Sequence, residues 1–317
     1  MPKKYNQQII VSRFFLYASV TLWYNFCPHS ISTVVKKLYL ETFVCNLQFL
    51  QGRRTLLFQR SLKSTLMIRK SFAGLEWLEF ELLADIPQLK HGVFLRHGGV
   101  SCGDYASLNV GLSMDDDPNH VKTNLDRISQ AFNLPKFTAS NQCHGKAIFE
   151  VPDANTPTPY PCDALTTKKP GVGLLMKHAD CQIAIFYDPI QHAVANVHAG
   201  WRGNVANIYQ ETIQFMQSAY FSKPENLLVC ISPSLGPNHS EFINYRVELP
   251  EHFWEYQIKP NYFDLWAISK MQLTQSGILL NHIQIAGICT YANPQDYFSY
   301  RRCKVSGRHA TVVTLEG

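Results

Sequence analysis

Residues 178–203 read HADCQIAIFYDPIQHAVANVHAGWRG, and the fold of the chain turns on how this stretch bends back on itself. A cysteine stands near its start and a histidine near its end, with two short apolar runs between them, residues 181–187 and 192–198. Both runs are rich in Ile, Val, Ala and aromatics, so both are predicted to be strands. Asp188-Pro189-Ile190-Gln191 is a turn signal, because Pro presets φ and Asp can bond its own backbone. A hairpin centred on Pro189-Ile190 places Cys181 directly opposite His198. Opposed residues of an antiparallel pair have Cβ atoms about 4.5–5.5 Å apart, close enough for a thiolate and an imidazole to share one metal or one proton. Both runs are apolar on both faces, with Gln182 and Asn196 as the inner exceptions, which is the pattern of a buried sheet.

The chain has 317 residues, 46% of them hydrophobic, enough for a sizeable core in one large domain or two small ones. Its net charge of +5 is unevenly spread: residues 1–66 carry +8, leaving −3 for residues 67–317. The main body therefore offers no whole-domain argument for nucleic acid. Nine cysteines, odd in number and without framework spacing or any CxxC, speak for a reducing compartment and against a disulfide scaffold. No apolar run reaches the ~20 residues of a membrane span; residues 9–27 come nearest but contain Arg13 and Asn25.

Residues 1–66 show no sustained period. A transit peptide, a basic arm and a non-native or poorly ordered extension compete for them. The reading preferred here is the third, with Met67 as the true start and residues 67–317 as one catalytic domain. Beyond it, residues 77–83 and 92–96 are predicted strands. The loop RHGGVSCGDYASLNVG, residues 96–111, has glycines without phosphate-loop spacing and reads as a turn between strands. Asp115-Asp116-Asp117-Pro118 reads as the start of a helix running to Phe132 rather than as a metal cluster. Strands are predicted at 147–151, 171–177, 227–232 and 283–290, with a closing strand at the C-terminus. Helical patterns follow Gly203 to about Ala219 and surround Trp254 and Trp266. Hairpins within such a pattern imply a mixed α/β domain.

The combination of CHG (143–145), HADC (178–181), VHAGWRG (197–203), CTY (289–291) and FSYRR (298–302) resembles the YfiH-like, or laccase-domain (multicopper polyphenol oxidase), proteins over roughly residues 75–317. The resemblance implies two packed mixed β-sheets flanked by helices, an α/β/β/α sandwich. It also implies a purine nucleoside phosphorylase with adenosine deaminase activity. Carried onto this chain, it makes His144, Cys181 and His198 the ligands of one metal, zinc or alternatively copper. Two His and one Cys leave a fourth position for solvent, the pattern of catalytic rather than structural zinc, which supplies hydroxide near neutral pH. The chain departs from the usual family text at Ser232, Asn238-His239, His178 and Cys303. None of these touches the three ligands; they bear on substrate preference.

Phosphorolysis needs an anion pocket, and Arg96, Arg202, Arg301, Arg302 and Arg308 are its candidates, since the guanidinium fork suits phosphate. Asp180, one residue before Cys181, would point to the opposite face of a strand as a supporting group. His178 is read as a buried histidine rather than a proton shuttle. The expected partners are purine nucleosides (adenosine, inosine, guanosine, methylthioadenosine) and phosphate, with no nucleic acid or membrane, for a cytoplasmic monomer. Three rivals stay open. One is a Cys–His hydrolase with Cys181 as nucleophile and His198 as base. Another is a copper polyphenol oxidase, which would need more clustered histidines than the chain supplies. The last is a non-enzymatic metal-binding protein, which a fourth protein ligand, for instance His178 or Cys143, would support.

Overall fold

The computed structural model describes residues 67–157 and 160–317. The 1–66 extension of the sequence reading lies outside the described residues. Strands are β1 (Met67–Phe72), β2 (Leu75–Phe80), β3 (Leu89–Phe94), β4 (Phe137–Ala139), β5 (Ile148–Glu150), β6 (Ala164–Thr167), β7 (Gly173–His178), β8 (Gln182–Asp188), β9 (Ala193–Ala199), β10 (Leu228–Ile231), β11 (Gln257–Lys259), β12 (Tyr262–Phe263), β13 (Ile283–Ile285) and β14 (His309–Leu315). The α-helices are α1 (Glu81–Ala84), α2 (Pro118–Phe132), α3 (Trp201–Val205), α4 (Ile208–Tyr220), α5 (Tyr245–Glu248) and α6 (Leu265–Gln275).

Two six-stranded mixed sheets result, ordered β1-β2-β3-β14-β7-β4 and β13-β10-β8-β9-β6-β5. Alternation along β8 explains why the run is apolar on both faces. Ile183, Ile185 and Tyr187 enter the core shared with Leu174, Met176 and Val313 of the first sheet. Ala184 and Phe186 face the other way, against Ile213 and Met216 of α4 and Leu273 of α6. On the outer side of the first sheet, Phe94, Leu175 and Val312 pack on Ile128 and Phe132 of α2. The layers are thus helix, sheet, sheet, helix. No helix among the described residues is long and apolar enough to cross a membrane.

Local chemistry sets several boundaries. α2 starts where its cap is: Asp117 Oδ1 accepts from Asn119 N at 2.8 Å, with Pro118 in the first helical position. Asp116 meanwhile ties the glycine loop, accepting from Ser101 Oγ and Asn109 Nδ2. That loop is packed main chain on main chain, since a Cβ on Gly99 would lie 2.0 Å from Ser107 O. The strand expected over 77–83 ends at Phe80, where the next residues turn into α1. The strand expected over 283–290 likewise stops at Ile285.

The β8–β9 register corrects the hairpin expected from sequence. Ile183, not Cys181, is paired with His198, and Asp188 with Ala193. Asp188 Oδ1 accepts from both Ile190 N and Gln191 N, and His192 adopts φ 49°. These bonds lengthen the turn to residues 189–192 and slide the strands by two. A two-residue slip keeps side chains on the same face. Cys181 and His198 therefore become diagonal neighbours on the face turned toward the first sheet.

Candidate metal centre

The HADC segment is the corner at which the chain leaves the first sheet, at the end of β7, and enters the second, at the start of β8. Asp180 makes the corner with φ 83°, a conformation that Asp tolerates better than most residues. Its carboxylate does not follow strand alternation as expected from sequence. Instead Oδ1 accepts from Thr290 Oγ1 and Oδ2 from Arg301 N, each at 2.6 Å, while its main-chain oxygen accepts from Leu235 N. One residue so gathers the CTY and YRR motifs beside Cys181.

His144 arrives from a separate loop. Gln142 pairs with Lys177 of β7 through both amide atoms, at 2.7 and 2.8 Å, fixing the loop to the sheet edge. His144 then turns at φ 62°. Ligand atoms of His144, Cys181 and His198 all lie within 4.8 Å of one another, with Cys181 Sγ 3.9 Å from His144 Nε2. A tetrahedral zinc with a thiolate and imidazoles spaces its donors by roughly 3.5 Å, so a small inward movement closes the set. His198 is buried and His144 exposed, so the centre sits at the rim of the intersheet space. Gly200 leaves room for it: a Cβ there would lie 2.6 Å from His144 Cδ2 and 3.3 Å from Cys181 Sγ.

Asp163, which sequence reading passed over, underlies the centre. Extending the β6–β9 register by one residue sets it across from His198, whose N–H donates to Asp163 O at 2.7 Å. Its side chain accepts from His198 Nδ1 at 2.8 Å, which leaves Nε2 free to face an ion. Its only signal in the sequence is an acid placed at the head of an apolar strand, CDALTT. Burial opposes its ionisation, but the bonds from His198, Gly145 and Cys143 outweigh that and hold the carboxyl well below the usual range. Burial would likewise raise the Cys181 thiol, yet the charge of His198 and the bonds from both imidazoles bring it down to about 6. His198 in turn is raised to about 9 against its burial by Cys181 and Asp163.

The two other candidate ligands are committed elsewhere. His178 Nδ1 donates to Cys181 O and Nε2 accepts from Thr311 Oγ1, as suits a buried neutral histidine. Cys143 Sγ donates to Asp163 Oδ2 at 3.2 Å.

The five arginines divide into two groups. Arg96 bonds the carbonyls of Ala106 and Pro294, Arg301 those of His239 and Glu241, and Arg302 those of Thr290, Tyr291 and Tyr297. Arg202 is exposed, 4.3 Å over the Trp201 ring, just beyond the HAG turn. Arg308 commits Nη1 to the carbonyls of Ser306 and Gly307 and lies within electrostatic reach of Cys181 and Asp180.

A family model described as "Multi-copper polyphenol oxidoreductase laccase" matches residues 90–316. A Shigella flexneri protein named purine nucleoside phosphorylase YfiH is 34% identical over 234 residues, covering 69% of this chain and 91% of its own length. A Bacteroides thetaiotaomicron protein named purine nucleoside phosphorylase is 29% identical over 251 residues, covering 73% and 93%. Among solved structures, YlmD from Geobacillus stearothermophilus superposes with a TM-score of 0.70 at 28% identity, over 80% of this chain and 100% of its own. YfiH from Bacillus licheniformis shares the fold with a TM-score of 0.71 at 23% identity, over 78% and 99%. With that model spanning most of the described chain and the two-sheet fold in common, the chain belongs to the laccase-like YfiH family.

Proposed function

We propose that this protein is a zinc-dependent purine nucleoside phosphorylase, acting on adenosine, inosine, guanosine and methylthioadenosine, that also deaminates adenosine. The observation that carries the reading is the convergence of His144, Cys181 and His198, from three parts of the chain, at an open rim. The names of the relatives supply the substrate class. The donor set fits zinc, and its thiolate also suits copper. When bound, the ion supplies Lewis acidity at that rim. Around it, Asp163 keeps the His198 proton on Nδ1, and Asp180 fixes the corner that presents Cys181. Arg202 and Arg308 hold phosphate on the open side, while Arg96, Arg301 and Arg302 keep the surrounding loops in place. In phosphorolysis a phosphate oxygen bonds to C1′ as the bond from C1′ to the purine breaks, releasing the base and ribose 1-phosphate. The reading takes the enzyme as a cytoplasmic monomer whose partners are small molecules.

The test is to incubate metal-analysed protein with adenosine and with inosine, with and without phosphate. Ribose 1-phosphate formed only with phosphate supports the phosphorylase, and inosine from adenosine supports the deaminase. Neither product from zinc-loaded protein overturns the reading.

One observation favours a second reading. The lowered Cys181 thiol beside a raised His198 is the ion pair of a cysteine nucleophile and its base. That reading leaves His144 without a role, and activity in metal-free protein, abolished by thiol alkylation, would support it. A multicopper oxidase needs several centres, and among the described residues one group of His, Cys, Asp and Glu has the spacing for an ion.

A further inference from the structure

We propose that Asp163 is the positioning residue of this centre, a single buried carboxylate that sets the coordinating nitrogen of His198 and the location of His144 together. The proposal rests on the metal-centre part of the reading above and is independent of the substrate.

Asp163 is fully buried, yet its two oxygens collect five donors. Oδ1 accepts from His198 Nδ1 at 2.8 Å and from His144 N at 3.0 Å. Oδ2 accepts from Gly145 N at 2.8 Å, Cys143 N at 3.3 Å and Cys143 Sγ at 3.2 Å. Residues 143–145 thus aim three successive N–H groups at one anion, the arrangement of an anion-binding nest. The anion here belongs to the protein. A left-handed His144 is unfavourable in isolation and persists where its surroundings over-determine it. The carboxylate supplies that constraint. Through Oδ1 alone it touches both imidazole-bearing residues, one by its ring and one by its main chain. Cys181 is placed from the other side of the centre, by Asp180, so the thiolate and the two histidines are held by different carboxylates.

An amide cannot replace this carboxylate. Asparagine has one acceptor oxygen and one NH₂, so whichever way it turns, a donor faces either the His198 and His144 N–H groups or those of Gly145 and Cys143. Backbone pairing of β6 with β9 does not involve the side chain, so the sheet can survive the change while the ligands uncouple.

The experiment compares full-length wild type, Asp163→Asn and Cys143→Ala by zinc competition against a chelating dye and by the cobalt(II) spectrum. Second-sphere carboxylates of this kind are worth about 10–100-fold in metal affinity. D163N is expected to lose affinity in that range and to alter its d–d bands while keeping the sulfur-to-cobalt charge-transfer band. C143A, which removes one donor of five, should stay within about threefold of wild type. A folded D163N that binds zinc as tightly as wild type with an unchanged cobalt spectrum overturns the proposal. If D163N fails to fold, the wild type decides: cadmium-113 coupling to ring nitrogens is expected at His198 Nε2 with Nδ1 protonated, and coordination through Nδ1 overturns it. Tight zinc binding by a wild type that turns over no nucleoside, with D163N weakened, supports this proposal while overturning the phosphorylase reading. No zinc uptake by wild type overturns both.

Discussion

Asp180 and Thr290, 110 residues apart in the chain, are joined by a 2.6 Å hydrogen bond from the threonine hydroxyl to Oδ1. With the equally short bond from Arg301 N to Oδ2, it makes a left-handed corner into the junction of three segments beside Cys181. Asp180→Ala leaves both donors without their acceptor and forces an alanine into a left-handed φ. Partial exposure tempers the cost, and we expect a loss of about 1–3 kcal/mol in urea denaturation. Zinc affinity should fall with it, because Cys181 is the next residue. Asp180→Asn, which tolerates the conformation and keeps one acceptor, should lie between wild type and alanine. Equal stability and zinc affinity in all three proteins would refute this role.

Gly200 and Gly203, three residues apart in HAGWRG, should respond oppositely to the same substitution. A Cβ on Gly200 meets the His144 ring at 2.6 Å, whereas on Gly203, inside α3, nothing lies nearer than 3.6 Å. Gly200→Ala must therefore push His144 away from Cys181, and we expect at least about tenfold weaker zinc binding, in line with the sensitivity of metal sites to ligand placement. Gly203→Ala should keep wild-type affinity and raise stability by up to about 1 kcal/mol, the helix preference of Ala over Gly. Isothermal titration with zinc and thermal melting separate the two. An unaffected G200A would show that His144 is not a ligand.

The cysteines near the centre differ in reactivity by their neighbours rather than by their exposure. In metal-free protein the Cys181 thiol, brought down to about 6, should alkylate with half-maximal rate near that pH. Cys143 is raised chiefly by its bond to Asp163, and Cys162 is pushed up by burial to about 11. Both should lag behind at pH 7 although Cys143 is exposed. Peptide mapping after a short iodoacetamide pulse should find Cys181 modified first, and saturating zinc should protect it. Alkylation of Cys181 only above pH 8, or without protection by zinc, would count against the arrangement.

Where a feature was set by neighbours in the chain, it was legible. The Asp117-Pro118 cap located α2, and the paired apolar runs located β8 and β9 on a buried sheet. The nearness of Cys181 to His198 survived an error of two in register, because side-chain direction has period two and the slip was even. What failed to show were contacts made across the chain. Asp163 looks like an ordinary acid until β6 pairs with β9, and Asp180 misleads a strand-based reading because its left-handed turn is demanded by the passage between sheets. His144 came from family resemblance alone, since nothing local marks a loop histidine as a ligand.

Three buried histidines make acid stability the sharpest pH test of the fold. His91 Nε2 accepts from Phe80 N and His309 Nε2 from Phe298 N, both at 2.7 Å, and His178 Nε2 accepts from Thr311 Oγ1. Burial lowers His91 to about 4 and His309 to about 3, and sets His178 well below its ordinary value. Each is neutral when folded and takes a proton more readily when unfolded, so the unfolded state binds the extra protons below pH 6.5. The stability they contribute is therefore complete above about pH 6.5 and is withdrawn as pH falls toward the folded values. Each proton is worth about 1.4 kcal/mol per pH unit, so the three together approach roughly 4 kcal/mol per unit between pH 6 and 4.5. Depressed carboxylates begin to take up protons below about pH 5 and the folded Cys181 thiolate near 6, so the histidine share is read from the difference between wild type and a histidine variant. Urea denaturation across that window should show this slope, and His91→Gln, whose amide oxygen can still accept from Phe80 N, should reduce it by about a third. A stability that stays level from pH 6.5 to 4.5 would refute the proton-free state of these buried imidazoles.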